Sequence, residues 1–218
     1  MQIIHFEPTD LKGAEDIIAT SLSYQLPDNQ SHLLLFPALE GITGQLEEVA
    51  NAFFSGKQNE ALSTFEMIKQ KHLQLADSLL KEHLQACLTQ LNDLFTEVEW
   101  LLHDQPVRQY NYYYDQIVCI GELLSSCIIS HYFSENHILN LWVDIRDILR
   151  TDNHFGNATI DLVSSTEKVL EANWTNLSGV IITQNGIGAT ADNESTTLGK
   201  MNRKMTAEFL GGIHDYRY

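Results

Sequence analysis

The chain has 218 residues, of which 29 are acidic and 13 are lysine or arginine, and its net charge is −16. A chain of this length can bury a core without disulfides or metals, so one α/β domain is the simplest expectation. Duplex binding requires clustered cations, and anionic membranes attract basic surfaces. We therefore expect neither a nucleic-acid partner nor a membrane partner.

The cysteines and histidines show no disulfide or metal signature. Cys87, Cys119 and Cys127 are odd in number and form no C-x-x-C pair, which favours reduced, buried thiols and a cytoplasmic protein. The nine histidines show no H-E-x-x-H or comparable spacing, so no metal site is predicted. No basic-then-apolar leader opens the sequence and no apolar run approaches about 18 residues, so neither export nor membrane spanning is indicated.

The first half of the chain predicts a βαβ unit followed by helices. Short apolar runs over 2–6 and 33–39 predict strands that are buried on both faces. The apolar spacing over 13–25 predicts a helix between these strands. Over 44–102, leucine and phenylalanine recur at intervals of three and four, which predicts two or three helices that fold on one another.

The second half predicts further alternation of helices and strands. A helix is expected over 113–133, a strand over 138–143, a helix over 162–172, a strand over 179–183, and a turn followed by a helix over 198–211. No internal repeat or low-complexity linker interrupts these elements. We therefore predict a single domain over 1–218.

Four stretches, in order, resemble the catalytic lobe of aspartate kinases, which are amino-acid kinases. DQIVCIGELLSS at 115–126 is similar to the family's D-x-I-x-x-x-G-E-L-L-S, and VDIRDILRTDNHFGNATID at 143–161 to its x-D-x-R-x-x-I-x-T-D-x-x-F-x-x-A. IITQNGIGAT at 181–190 resembles T-Q-G-F-I-G, and TTLG at 196–199 resembles the start of T-T-L-G-R-G-G-S-D. The opening corner resembles K-F-G-G-T-S, and FPALEGIT at 36–43 resembles L-S-A-x-x-G-x-T.

The resemblance implies a fold, an activity and an assembly. The fold is a three-layer α/β/α sandwich around a mainly parallel sheet, with a helical subdomain inserted around 44–135. The activity is transfer of the ATP γ-phosphate to the side chain of aspartate, which requires ATP and Mg²⁺. The assembly is a homodimer built on the 113–133 region. The chain matches only the N-terminal lobe, so we expect a truncated domain without the nucleotide half and the regulatory domains that follow in the family.

The chain departs from the family at the phosphate-binding motifs. The family's lysine position is His5, and its two glycine positions at this corner are Glu7 and Pro8. Proline has no N–H to donate, and at about 4 Å and an effective dielectric near 20 a glutamate repels phosphate by about 4 kcal/mol. In the closing motif both glycines are replaced and the family's aspartate position is Lys204. We therefore assign no catalytic residue and expect phosphoryl transfer to be impaired.

Several residues match substrate-binding or anion-binding positions. The resemblance assigns Thr43, Glu122 and Lys200 to substrate binding, with the glutamate suited to pairing with a substrate ammonium. Arg203 and Lys204 are candidate anion-binding residues near a helix N-terminus, although a solvated face also accounts for them. The matching positions Arg146, Asp147 and Asp152 are either ligand contacts or structural ion pairs.

The favoured interpretation is an aspartate-kinase-like domain that is impaired in catalysis and needs no cofactor. It would bind an amino acid, form oligomers, or associate with a complete kinase. One alternative is a functional aspartate kinase that makes 4-phospho-L-aspartate from ATP and L-aspartate in amino-acid biosynthesis. Another is a different activity on the same scaffold, with His5 and Glu7 as acid and base, because residues two apart on a strand point to one face. Whether the protein is an enzyme is left open, with the sequence favouring a non-enzyme.

Overall fold

The computed structural model describes residues 2–24, 31–172, 179–199 and 203–215. The strands are β1 (Gln2–His5), β2 (His32–Phe36), β3 (Asn140–Trp142), β4 (Val180–Gln184), β5 (Ile187–Ala189) and β6 (Ser195–Thr197). The helices are α1 (Ala14–Leu22), α2 (Ile42–Phe54), α3 (Gln58–Leu79), α4 (Leu84–His103), α5 (Tyr110–Val118), α6 (Ile120–Glu135), α7 (Leu162–Ala172) and α8 (Arg203–Asp215). Short 3₁₀ turns cover Pro8–Asp10 and Ile145–Asp147.

The main sheet has four parallel strands in the order β1-β2-β4-β3. Its register places Ile4 beside Leu34 and Leu34 beside Ile182. The strands β5 and β6 form a separate antiparallel pair. All five residues of β2 and of β4 are buried, as expected for central parallel strands that are covered on both faces. The βαβ unit that the sequence predicted is β1-α1-β2.

Helices cover both faces of this sheet. Trp142 of β3 and Gln184 of β4 each donate a side-chain hydrogen bond to the Ser126 hydroxyl, at 3.0 and 2.7 Å, so α6 lies on their face. Ile3 of β1 points to the other face, because side chains alternate along a strand and the register places Ile3 out of phase with Trp142. There Ile3 lies beside Gly211 of α8. The predicted three-layer α/β/α fold is therefore confirmed.

The helix α6 forms the centre of the core. All its residues from Ile120 to Ser130 are buried. Gly121 permits this packing, because a Cβ at that position would lie 2.9 Å from the Cβ of Ala38. The leucine stripe predicted over 44–102 is the buried face of three helices, α2, α3 and α4, which surround α6 with α5. The helical segment therefore packs directly onto the sheet.

The run Tyr110–Glu135, which comprises α5 and α6, is long and apolar enough to cross a membrane. This run was not singled out from the sequence, because polar residues such as Asp115, Glu122 and Ser126 interrupt its apolar stretches. However, 83% of its most apolar window is buried inside the protein, so its composition is that of a core helix. The same burial leaves α6 little side-chain surface for a partner; the homodimer expected on the 113–133 region stays a prediction.

Several predicted boundaries differ from the observed ones. The strand predicted over 33–39 ends at Phe36, because Pro37 cannot donate to a strand ladder. The helix predicted over 13–25 is Ala14–Leu22, and residue 25 lies outside the described residues. The helix predicted over 113–133 begins at Tyr110 and is divided at Cys119. The strands β5 and β6 were not predicted.

Candidate functional site

A cavity of about 360 Å³ opens between the first turns of α2 and α6 and the two-stranded sheet. Thr43 of α2 and Glu122 of α6 line it, together with Tyr110, Asn111, Tyr114 and Val118 of α5. The remaining wall comes from residues 155–157, Gly186, Ile187, Thr197 and Gly199. Five motif stretches that are far apart in the sequence therefore meet at one place.

Thr43 and Glu122 are two of the residues that the sequence assigned to substrate binding, and the fold brings them into the same cavity. Each lies in the first turn of its helix. Glu122 is only 4% exposed, so its carboxylate is largely removed from bulk water. A carboxylate in such a place interacts strongly with a positively charged group, because little water screens the two charges.

Asp115 organises the floor of this cavity. Its two carboxylate oxygens accept hydrogen bonds from the Thr197 hydroxyl at 2.6 Å and from the Gly156 N–H at 2.8 Å. Burial raises the pKa of Asp115 to about 6, although these two hydrogen bonds oppose the shift. The side chain thus joins the start of the 115–126 motif to the 155–157 turn and to β6.

Gln116 and Cys119, which are close to Asp115 in sequence, also form hydrogen bonds to β6. Gln116 donates to the Ser195 carbonyl at 2.8 Å and accepts from the Ser195 N–H at 3.1 Å. The Cys119 thiol donates to the Thr196 carbonyl at 3.3 Å. These side chains satisfy backbone groups of a buried polar strand that would otherwise carry a large desolvation cost.

Three glycines shape the cavity wall with positive φ angles, namely Gly156 at 85°, Gly186 at 76° and Gly199 at 74°. At Gly199 a Cβ would lie 2.5 Å from the Asn157 Oδ1, so the close approach of these two segments also requires glycine. The GNA and TTLG motifs are therefore explained by how tightly the backbone packs around the cavity.

Two tyrosines of the aromatic run 110–114, Tyr110 and Tyr114, supply one wall of the cavity. The Tyr114 hydroxyl donates to Glu47 at 2.9 Å, and the Tyr110 hydroxyl donates to the Asn51 side chain at 2.8 Å. Both hydroxyls thus tie α5 to α2. Burial is the main cause that raises the pKa of each tyrosine, so both remain protonated at neutral pH.

The charge of the described cavity lining is acidic. Among the described residues that line it, Glu122 is the charged one, and no lysine or arginine is present. Of the other assigned residues, Lys200 lies outside the described residues. Arg203 begins α8, but its side chain lies outside the described part of the structure; Lys204 is exposed on that helix and does not line the cavity.

The opening corner forms a compact turn. The His5 Nε2 lies 3.1 Å from the Glu7 Oε1, as the strand spacing predicted, and both side chains are accessible to solvent. The Glu7 N–H donates to the Asp10 side chain at 2.9 Å, and Pro8 begins a 3₁₀ turn. Neither His5 nor Glu7 lines the cavity at Glu122. The structure therefore does not bring this pair together with Thr43 and Glu122.

The charged residues of the 143–161 stretch are engaged within the protein. Arg146 donates to both Asp144 and Glu97, at 2.7 and 2.8 Å, and also to the Ser195 hydroxyl. The Asp152 carboxylate accepts the backbone N–H groups of His154 and Thr159, both at 3.1 Å. These hydrogen bonds lower the pKa of Asp152 against the opposing effect of burial. Arg146 and Asp152 thus act as structural links here; Asp147 lies in the 3₁₀ turn.

No model of a protein family matches the chain. Among curated proteins, it is 26% identical to lysine-sensitive aspartokinase 3 of Escherichia coli over 198 residues, which covers 89% of this chain and 42% of that protein. It is 24% identical to an aspartokinase of Chlamydia trachomatis over 192 residues, covering 86% of this chain and 41% of the relative. The chain thus spans less than half the length of these relatives.

Solved structures give the same result for the fold. A crystal structure of E. coli aspartokinase III in complex with lysine and aspartate superposes with a TM-score of 0.84 at 22% identity, covering 99% of this chain and 47% of the other. The aspartate kinase of Clostridium acetobutylicum superposes with a TM-score of 0.69 at 13% identity. The motif resemblance, the curated relatives and the fold agree that most of this chain is similar to part of the aspartokinases.

Proposed function

We propose that this domain binds the ammonium group of a small amino acid at Glu122 and is impaired in phosphoryl transfer. The observation that carries the proposal is that Thr43 and Glu122 share one cavity whose described lining contains no lysine or arginine. Crystal structures of E. coli aspartokinase III contain aspartate, so L-aspartate is the first ligand to test.

The cavity suits an ammonium group for electrostatic reasons. Glu122 is 4% exposed, and a buried carboxylate gains most from a partner that brings both a positive charge and several N–H donors. Thr43 adds a hydroxyl that both donates and accepts. A volume of about 360 Å³ lies at the lower end of the range typical of small-molecule sites, which favours a ligand of amino-acid size.

The described residues form no comparable binding site for phosphate. Catalysis of phosphoryl transfer depends on preorganised cations and N–H donors around the transferred group. At the opening corner the Glu7 N–H is already bonded to Asp10, and Pro8 has no N–H. We therefore propose that neither ATP nor Mg²⁺ is a cofactor of this domain.

The binding proposal is tested by thermal unfolding with L-aspartate, related amino acids and Mg²⁺-ATP in turn. A ligand at a hundred times its dissociation constant should stabilise the native state by about 2.7 kcal/mol. We expect an amino acid to raise the melting temperature, and Glu122→Gln to abolish that rise. Glu48→Gln, which makes the same charge change on the exposed face of α2, should retain it. An equal response from both variants would refute the proposal.

The kinase alternative is tested separately by coupled ADP release with L-aspartate and Mg²⁺-ATP. We expect turnover below about 0.01 s⁻¹, since the barrier rises steeply when phosphate-facing donors are lost. Faster turnover that Glu122→Gln removes would establish an active aspartate kinase and reject the impairment.

The described surface also supports association with a second copy or with a complete kinase. Trp100 of α4 and Met67 of α3 are 76% and 63% exposed, and residues of this kind are enriched at protein interfaces. Sedimentation of the purified domain, alone and with an aspartokinase, tests this part of the proposal. A monomer in both experiments would exclude it. A cytoplasmic location remains part of the same proposal.

A further inference from the structure

Four potential metal ligands face one another across α4 and α6. His83 and Cys87 are four residues apart at the start of α4, and Cys127 and His131 are four residues apart on α6. Residues at this spacing lie on the same face of a helix, one turn apart. The two helices therefore present a matched pair of histidine and cysteine side chains to each other.

The geometry of three of these residues is close to that of a metal site. One ligand atom each from Cys87, Cys127 and His131 lies within 4.8 Å of the other two. In a tetrahedral zinc site the ligand atoms are separated by roughly 3.3–3.8 Å, given Zn–S and Zn–N bonds of about 2.3 and 2.0 Å. The observed separations therefore exceed those of a tetrahedral site by no more than about 1.5 Å.

The fourth position is available to His83. Its ring centroid lies 6.3 Å from that of His131, so the two imidazoles are neighbours. The backbone at this point is held to α6 by Glu135, whose carboxylate accepts the N–H groups of Glu82 and His83 at 3.2 and 2.9 Å. His83 is thus anchored one turn from Cys87.

The surroundings of His131 fit a ligand role. Its Nε2 lies 3.0 Å from the amide oxygen of Gln90, which can only accept. The Nε2 therefore carries the proton, and Nδ1 keeps the lone pair that a metal needs. Hydrogen bonds of this kind orient metal-binding histidines and are a regular part of such sites.

The donor set identifies the kind of ion. Two thiolates and one or two imidazoles in a closed, buried arrangement suit Zn²⁺, whereas carboxylates and water suit Mg²⁺ or Ca²⁺. Cys87 and Cys127 are fully buried, and His131 is half-buried. We propose that Cys87, Cys127 and His131, with His83 as fourth ligand, bind one Zn²⁺ that ties α4 to α6. The proposal is independent of the cavity at Glu122 and departs from the expectation that the chain has no metal site.

Sequence analysis missed this cluster because its two halves are separated along the chain. A compact zinc motif places all its ligands close together in sequence, whereas here each helix contributes one H-x-x-x-C or C-x-x-x-H pair. The buried cysteines were expected to be reduced thiols in apolar patterns, and both are free in the structure. Only the packing of α4 against α6 brings the pairs together.

The test is titration of the reduced, metal-free protein with Zn²⁺, and with Co²⁺ as a spectroscopic reporter of thiolate ligands. We expect one equivalent to bind, with the absorption of tetrahedral thiolate-bound cobalt, and the melting temperature to rise. His131→Gln should weaken Zn²⁺ affinity by at least about a hundredfold, because loss of a ligand exceeds the effect of losing an outer partner. This variant leaves the buried thiols in place and should fold.

Two matched controls define the site. Cys119→Ser changes another buried cysteine, and His103→Gln changes an exposed histidine on α4; both should bind Zn²⁺ like the parent. Cys127→Ser should lose the thiolate-to-cobalt absorption. The proposal would be overturned if the reduced parent bound no Zn²⁺, or if His131→Gln and Cys127→Ser bound it like the parent. A disulfide between Cys87 and Cys127 that persists in reductant would also overturn it.

Discussion

The carboxylate of Asp115 accepts a hydrogen bond of 2.6 Å from the Thr197 hydroxyl, and its other oxygen accepts the Gly156 N–H. This contact joins three of the aspartokinase-like motifs at the floor of the cavity. Its energetic consequence is testable, because the buried carboxyl group has a pKa of about 6 against an ordinary value of 3.8.

Asp115 should make the protein less stable as the pH rises. Between pH 4 and 6 the folded state holds a proton that the unfolded state has released, so this group's contribution falls with pH through that window. A shift of about two units corresponds to about 3 kcal/mol. The difference in unfolding free energy between the parent and Asp115→Asn should change by this amount between pH 4 and 7. Denaturant unfolding measures it, and Asp93→Asn, at an exposed position of α4, should show no such change.

His72 should have the opposite pH dependence. It is completely buried on α3, and burial lowers its pKa from 6.5 to about 4. The unfolded state therefore takes up a proton first, and stability is lost as the pH falls from about 6.5 to 4, by about 3 kcal/mol. His72→Leu should remove this loss, as measured by denaturant unfolding across the same range. If the difference in unfolding free energy between the parent and His72→Leu did not change across this range, the attribution to His72 would be wrong.

The contributions of Asp115 and His72 nearly cancel in the parent, so single variants are needed to reveal either one. Asp115→Asn leaves the His72 slope, and His72→Leu leaves the Asp115 slope. A parent profile that is flat near pH 5 is therefore compatible with both groups being strongly perturbed.

Gly199→Ala should destabilise the cavity wall. The residue has a φ of 74°, and a Cβ would lie 2.5 Å from the Asn157 Oδ1. A non-glycine residue in this conformation costs about 1–3 kcal/mol, and displacement of Asn157 should also weaken ligand binding. Gly212→Ala in α8, where a Cβ has nothing within 4 Å, should instead stabilise by about 0.5–1 kcal/mol. Thermal unfolding of the two variants compares them, and equal effects would contradict this explanation.

Arg146→Ala should cost about 3–5 kcal/mol, because it leaves a largely buried carboxylate without its partner. The side chains of Arg146 and Asp144 are each 16% exposed, and hydrogen bonds to Glu97 and Asp144 raise the pKa of Arg146 despite its burial. The exposed pair of Arg108 with Glu194 offers a comparison, and Arg108→Ala should have little effect. Denaturant unfolding at neutral pH distinguishes the two, and a small effect of Arg146→Ala would show that Asp144 finds other partners.

Much of the fold followed from apolar periodicity, because helices and strands with a continuous buried face show it directly. The strand β6 was missed since it is the short polar run Ser195–Thr197, whose burial depends on hydrogen bonds from α5. Likewise, the apolar periodicity of the sequence does not show that the helix is divided into α5 and α6 at Cys119. The backbone of Cys119 is itself helical, with φ and ψ of −55° and −24°. Tertiary contacts decide both features.

The residues of the candidate site could be predicted where a sequence motif contains them. The partners of a residue could not be predicted where they depend on tertiary packing. Thr43 and Glu122 were assigned from the motifs, and the structure places both in one cavity. The engagement of Arg146 by Glu97 joins residues 49 apart in sequence, and no local pattern indicates it. The convergence of the two histidine and cysteine pairs depends in the same way on helix packing.

The order of the sheet has a consequence for how the protein is made. β4 lies between β2 and β3 but is the last of the four strands to leave the ribosome. Until it arrives, the apolar flank of α6 that packs against β4 has no cover, and β3 has no neighbour. Nascent chains are therefore exposed to aggregation over this interval, and the emergence of β4 from the ribosome is what allows the centre of the domain to close.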